Sequence, residues 1–215
     1  KNILMIRLPA IIILAAASLG LSAQNDPAAV KVLENFSAKA TKAPSVSMQF
    51  TLETVDQVEG TSNRLKGSAV LSKDRYRIEL PENILWYNGE NMWSYLPDVE
   101  EVTITKPDRN DDSFMAKPSA IFTIWKKNYK SRLLEERTAS YLIDLYPEDI
   151  NSDHVRIRLE IGKAGLDLKG LEYKYKNGIT VMLKVTGYDL SYKPDDSEFA
   201  FSAAKYRGVE IIDMR

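Results

Sequence analysis

Cysteine is absent from the 215 residues, and histidine occurs once, at position 154. The first absence excludes a small extracellular module stapled by disulfides, whose stability comes from cross-links rather than from a core. It also excludes a lipid attached to this chain through a cysteine after an export signal. Together the two absences leave no usual zinc or copper ligand set, so no metal is expected. No glycine-rich loop of the phosphate-cradling kind occurs. No serine sits in a nucleophile elbow with a histidine to serve it. His154, beside Asp153 at a strand entrance, reads as a surface or turn residue. The acidic pairs Glu100-Glu101, Asp111-Asp112, Glu135-Glu136 and Asp195-Asp196 lie in polar or turn-like surroundings that keep them ionised. A general acid would need a desolvating pocket. No cofactor and no catalytic residue is expected, and the chain is read as a non-enzyme.

Charge of one sign is also lacking. There are 29 Lys and Arg against 30 Asp and Glu. Nucleic-acid binding needs a basic excess on one face, so a nucleic-acid partner is not expected. The short basic patch Lys126-Lys127, with Lys130 and Arg132 nearby, reads as a solvated helix end.

Long apolar runs are missing too. After Arg7, Leu8 and Pro9 comes the run from Ala10 to Ala17, then small residues through Ser22 and Ala23, and the chain turns polar at Gln24. A membrane span needs ~20 apolar residues. A basic start, a short apolar centre and a small-residue exit instead predict a cleaved export signal over residues 1–23. The expected product is a soluble protein outside the cytoplasm, residues 24–215, forming one domain. Removing Lys1 and Arg7 from the 29 basic residues leaves 27 against 30 acidic ones, a net charge of −3. Without disulfides the core must carry the stability, and about 190 residues suffice for one sizeable core.

In that product the periodicity changes once. Asn25 or Asp26 caps a helix that Pro27 opens, and Ala29, Val32, Leu33, Phe36 and Ala40 make one apolar stripe before Ala43-Pro44 ends it. Beyond Pro44 the period is two. Val46, Met48, Phe50 and Leu52 alternate with polar residues. So do Tyr76, Ile78 and Leu80; Tyr141, Ile143 and Leu145; Val155, Ile157, Leu159 and Ile161; and Ile179, Val181, Leu183 and Val185. Turn signals separate these runs, and Asn88-Gly89 and Asn177-Gly178 read as tight hairpins. Roughly ten strands at this spacing predict one large antiparallel sheet or barrel.

One apolar segment interrupts the strands, from Ser113 to Tyr129. Pro118 suits a short helix with Ile121, Phe122 and Trp125 on one side. Two helices over one concave apolar face make either a filled core or a lidded pocket, and periodicity does not separate them. The segment Phe114–Trp125, with Phe114, Met115, Ile121, Phe122 and Trp125, is read as a movable lid.

The stretch Tyr76-Arg77-Ile78-Glu79-Leu80, then Asn88-Gly89-Glu90-Asn91-Met92-Trp93-Ser94-Tyr95-Leu96-Pro97, then Val102-Thr103-Ile104, resembles the outer-membrane lipoprotein carrier proteins of the LolA type. In that family an aromatic-rich strand leads to a hairpin bearing Trp, Tyr and Pro and then to a "QVT" strand. Asp144-Leu145-Tyr146-Pro147-Glu148-Asp149 and the ending from Phe199 to Asp213 resemble the same family's second half. The resemblance implies a mostly-β fold with some α: an unclosed antiparallel barrel whose apolar concave face is covered by helices and a lid. It implies a periplasmic monomer that binds lipoprotein acyl chains, takes them from an inner-membrane release complex and delivers them to an outer-membrane acceptor. The cavity-lining residues it implies are Met48, Phe50, Tyr76, Ile78, Leu80, Trp93 and Tyr95. Many members carry an Arg-Pro pair before the aromatic strand. Here Leu71-Ser72-Lys73-Asp74-Arg75-Tyr76 has no proline, and no lid latch is assigned. An envelope regulator that senses lipid on the same fold, and a glycan-directed enzyme, are the alternative readings.

Overall fold

The computed structural model describes residues 25–107 and 116–215. The expected export signal, Phe114 and Met115 lie outside the described residues. One helix comes first, α1 (Pro27–Lys42). Asp26 caps it through a hydrogen bond from the Ala28 amide to Oδ1 at 2.9 Å, and Lys39 and Lys42 sit in the last turn, where the helix dipole favours cations. The other Asp26 oxygen accepts from the Leu133 amide at 3.0 Å. Asn25 Oδ1 accepts from the Ser131 amide at 2.7 Å. These bonds join the start of the helix to a strand more than a hundred residues away.

Among the described residues twelve strands follow: β1 (Val46–Asp56), β2 (Thr61–Ser72), β3 (Arg75–Leu80), β4 (Asn83–Tyr87), β5 (Met92–Leu96), β6 (Glu101–Thr105), β7 (Tyr129–Glu136), β8 (Ser140–Pro147), β9 (His154–Gly162), β10 (Leu168–Tyr175), β11 (Ile179–Asp189) and β12 (Glu210–Asp213). They form one sheet in the order β12-β6-β5-β4-β3-β2-β1-β11-β10-β9-β8-β7. Neighbours are antiparallel except β12, which lies parallel to β6. The sheet curves without closing, so the expected unclosed barrel is what the chain forms. The chain leaves β4 at Tyr87 and re-enters the sheet at Met92. This is a four-residue loop rather than a two-residue turn, because Asn88 Oδ1 accepts from the amides of Glu90 and Asn91 and sets a wider bend.

The concave face holds the main core. Met48, Ala69, Ile78 and Leu85 stand in register across β1, β2, β3 and β4, and Val46, Leu71, Tyr76 and Tyr87 form the adjacent row. On the other wing Ile143, Leu145, Ile157, Leu159 and Ile161 are fully buried. The stripe of α1 seals this face. Leu33 and Phe36 join the same hydrophobic cluster as Met48, Phe50 and Ile78.

Between β6 and β7 the connection brings Ile121, Phe122 and Ile124 onto the cluster of the concave face. Its described part is not the regular helix expected there but two 3₁₀ turns, Pro118–Phe122 and Ile124–Lys126. Thr123 and Ile124, both β-branched, disfavour α-helix at the join. We call residues 116–127 the strap. Phe122 of the strap meets Phe36 of α1 with ring centroids 5.5 Å apart.

The convex face has a separate cover. A 3₁₀ turn, Asp196–Phe199, carries a capping box between Asp195 and Glu198, and the chain beyond it runs over β3 and β4. Arg75 bonds Asp196 at 2.7 Å and lies 4.6 Å over the Phe199 ring. On β8 and β9, also on this face, Asp144 is 1 % exposed and takes a two-pronged bond from Arg158 at 2.6 and 2.9 Å. Tyr146 donates to the same carboxylate at 3.1 Å. Burial pushes the Asp144 carboxyl upward, but the Arg158 bonds, the nearby charges of Arg158 and Arg156 and the Tyr146 hydroxyl together hold it below the ordinary carboxylate range.

Candidate functional site

Met48, Phe50, Tyr76, Ile78 and Leu80 all point to the concave face, as the alternation predicts, and all are buried. Phe50 and Leu80 close over Gly67. A Cβ at that position would lie 2.7 Å from Leu80 Cδ2, 2.8 Å from Phe50 Cε2 and 2.8 Å from the Glu79 carbonyl oxygen. Close packing of this kind fills the middle of the face, with α1 and the strap above it. The face is therefore closed by packing in this state rather than open on an empty chamber.

Trp93 and Tyr95 do not share that face. Tyr87 pairs with Met92 and Leu85 with Ser94, so Met92 and Ser94 point inward, and the Tyr76 hydroxyl donates to Met92 Sδ at 3.4 Å. Trp93 pairs with Trp86 and Tyr95 with Ile84 on the convex side. There the end of the chain supplies Phe201 and Tyr206. Trp86 to Tyr206 is 5.6 Å, Tyr95 to Tyr206 is 4.9 Å and Trp86 to Phe201 is 5.9 Å between ring centroids. The expectation that Trp93 and Tyr95 line the concave cavity is corrected on this geometry. Both faces of β4 and β5 are covered, so the richer aromatic face need not be the inner one. Arg75 lies on the same outer face and reaches this cover at Asp196 and Phe199.

Of the expected lid residues within the described chain, Ile121 and Phe122 are buried and Trp125 is half-buried. Among the described residues the buried indole N–H of Trp125 meets no acceptor. Lys126 lies over the indole at 5.4 Å, and Lys126 and Lys127 are exposed, as the sequence reading has it.

The strap runs between two cavities. One, of about 450 Å³, includes Tyr76, Tyr87, Lys117, Ala120 and Thr123 in its wall. The other, of about 590 Å³, includes Ala120, Thr123, Ile124, Tyr129, His154 and Tyr173. Ala120 and Thr123 belong to both, so the strap is the partition between them.

The larger cavity contains residues that sequence reasoning missed. His154, read as a surface or turn residue, is half-buried. Its Nε2 is 2.6 Å from the Tyr129 hydroxyl and its Nδ1 is 3.2 Å from Ser152 Oγ. Burial lowers its pKa; Asp153 pulls it back up and Lys176 adds to the lowering. The ring is thus more firmly neutral at neutral pH than a free histidine. Tyr173 and Tyr175 share a face of β10 two residues apart, a signal visible in the sequence. Their meeting with Tyr129 and His154 depends on the pairing of four strands, β7 to β10.

An open antiparallel barrel with an apolar concave face, sealed by one helix and a thin strap, is the architecture of a protein able to enclose an apolar guest. The sequence matches the model of the family described as outer membrane lipoprotein carrier protein LolA over residues 41–202. The chain belongs to that family. No curated protein sequence matches it. Among solved structures, an uncharacterized conserved protein from Thermus thermophilus superposes with a TM-score of 0.56 at 11% identity, over 86% of this chain and 99% of that one. Looser likenesses are a LolA superfamily protein from Nitrosomonas europaea, with a TM-score of 0.42 at 12% identity over 80% and 97% of the two chains, and the Mycobacterium tuberculosis lipoprotein LppX, with a TM-score of 0.45 at 12% identity over 80% and 100%. No helix among the described residues is long and apolar enough to cross a membrane.

Proposed function

We propose that this protein is a periplasmic carrier that encloses the acyl chains of lipoproteins between its concave sheet face and the strap, and that it moves them from the inner to the outer membrane without covalent chemistry. One observation carries the reading: the strap is a partition with a cavity on each side, over a face lined by Met48, Tyr76 and Ile78. Lifting the strap joins the two cavities and uncovers that face. An acyl chain gains ~0.8 kcal/mol per methylene removed from water, so the apolar guest replaces what the strap buries. Flexible Met48 and Met92 and the aromatic rings beside them suit a guest of variable shape.

Titration of the purified protein with a fluorescent fatty acid tests the binding step. Saturable binding together with faster hydrogen exchange of residues 116–127 supports the reading. Binding with unchanged exchange in the strap refutes the gate. Depletion in the cell separates transport from sensing: lipoproteins retained in the inner membrane support the carrier, and normal sorting with an altered envelope stress response favours a regulator.

A further inference from the structure

The two edges of the sheet are finished differently. At the β7 edge the residues before α1 take up the open backbone groups. The Asp26 amide donates to the Ser131 carbonyl at 3.0 Å. Asn25 Oδ1 accepts from the Ser131 amide and Asp26 Oδ2 from the Leu133 amide. A bulge between Leu133 and Glu135 then breaks the register. An edge that is capped and bulged resists pairing with a further strand. At the other edge lies β12, and all four of its residues are exposed. No other strand among the described residues is exposed throughout.

β12 is held to β6 mainly through its backbone. The Glu210 amide donates to the Glu100 carbonyl and the Met214 amide to the Ile104 carbonyl, both at 2.9 Å. The pairing is parallel, the slightly weaker kind. Ile211 is 49% exposed and Ile212 36%, so apolar burial adds little. The register sets Glu210 beside Glu101, and like charges facing across two strands weaken the pair. The nearby bases do not offset this. Arg215 is paired with Asp213 at 2.6 Å, and Arg207 forms no ion pair among the described residues. Before β12 the chain is anchored at Tyr206, which packs on Trp86 and Tyr95 in the outer cover. Between that anchor and the strand stands Gly208, exposed, at φ +84° and with open space around it.

We propose that the β6 edge is a docking site for an extended segment of a partner protein, and that β12 is its exchangeable occupant. The partner segment carries Lys or Arg beside Glu101, where β12 carries Glu210, and then two aliphatic residues in the places of Ile211 and Ile212. Strand addition takes its affinity from main-chain bonds and its specificity from alternate side chains. β12 shows which kind of strand the edge accepts. The contact of Glu210 with Glu101 shows where a competitor gains, because an opposite-charge pair there favours the incoming strand. A second copy of this chain would bring the same glutamate and gain nothing. β12 swings out about Gly208 while Tyr206 keeps the outer cover in place. The inference goes beyond the carrier reading and does not depend on it.

The probes are two fluorescent peptides with the sequence of residues 207–215, one as it stands and one carrying Glu210→Lys, titrated into the full protein by anisotropy. The Glu210→Lys peptide should bind saturably and at least threefold tighter than the other, with the difference shrinking in high salt. On its binding, amides of residues 210–214 should exchange faster while those of β6 stay protected. The absence of cysteine allows a clean lock. Thr103 and Ile212 are register partners, and in a Thr103→Cys, Ile212→Cys protein the reduced form should bind the peptide and the oxidised form should not. Equal affinity of the two peptides, no saturable binding of either, or binding undiminished by the closed disulfide overturns the proposal. A dimer that forms through β12 and disappears on oxidation assigns the edge to a second copy, and overturns it too. Peptide binding without fatty-acid binding would refute the carrier and leave this edge standing; the reverse would refute the edge alone.

Discussion

Phe122→Ala tests whether the strap is a gate or a fixed part of the core. Phe122 is 3 % exposed, and its ring packs 5.5 Å from that of Phe36. Truncating a phenylalanine in a packed core costs about 3–5 kcal/mol. Where that cost falls depends on cooperativity. If the strap docks and undocks on its own, the loss is taken from the docking equilibrium and cannot exceed the strap's own docking free energy in any global measurement. Each 1.4 kcal/mol is a factor of ten in an equilibrium. Amide exchange within residues 118–126 should then accelerate about a hundred- to a thousandfold, up to the limit of the fully open segment. Amides in the middle of β1 and β9 should keep their protection, since they open only with the whole domain.

The assay is hydrogen exchange by mass spectrometry on the wild type and the variant, beside a urea titration. A selective acceleration in the strap, with a global loss well below about 3 kcal/mol, is the expected result. A global loss of the full amount with exchange accelerated evenly through the sheet would refute the reasoning: it would make the strap one cooperative unit with the core, and a guest could then enter only by unfolding the protein.

Three further outcomes follow from the geometry. Gly67→Ala places a Cβ within 2.8 Å of a backbone carbonyl and of the Phe50 ring; overpacking of this kind costs about 1–3 kcal/mol, read as a lowered urea midpoint. Asp144→Asn leaves Arg158 without its two-pronged anion; breaking a buried pair costs about 3–5 kcal/mol, so on these partly exposed arginines a loss near the lower end is expected in the same titration. Acid should act in two stages. The lowered pKa of His154 means that stability falls as pH drops through the unfolded value of about 6.5 towards the folded one. The Asp144 contribution is present above the unfolded value of about 3.9 and is lost as pH falls further, through its lower folded value. In a pH series of thermal unfolding His154→Phe should remove the first stage and Asp144→Asn the second.

The helix and the strands were legible because each is written locally. Asp26-Pro27 starts α1, Ala43-Pro44 stops it, and the stripe Ala29, Leu33, Phe36, Ala40 is the buried one. Alternation assigned Met48, Tyr76 and Ile78 to a common face, and the register agrees. What failed was the relation between strands. Alternation places Trp93 and Tyr95 on one face of β5 but does not say which face of the sheet that is. The four-residue loop at Asn88 and the pairing of Tyr87 with Met92 decide it, and a distant segment with Phe201 and Tyr206 makes the outer face apolar too. The meeting of Tyr129, His154, Tyr173 and Tyr175 was hidden for the same reason. Its rings come from positions 129, 154, 173 and 175, and nothing around His154 alone distinguishes it from a turn residue. The two 3₁₀ turns of the strap escaped because Pro118 gives the start of a helix without saying that Thr123 and Ile124 will tighten it.

The protein has two apolar covers, and they are built differently. The outer cover is held by Phe199, which is fully buried, by the rings of Phe201 and Tyr206 on Trp86, and by Arg75, which joins it to β3. The ion pair of Arg75 with Asp196 adds little, because Asp196 is 88% exposed. The apolar contacts hold this cover, and its Glu198 carboxylate is met by the Tyr192 hydroxyl and the Asp195 amide. The strap also buries apolar side chains, Ile121 and Phe122, but it does so as two short turns with a cavity on either side. A dense core loses contacts at every void along its boundary, so the strap gains less per residue from docking than a cover seated on continuous packing. The face below it carries the long apolar rows of β1 to β4. On the proposed carrier reading, the guest enters at the strap, through the less continuous of the two seals.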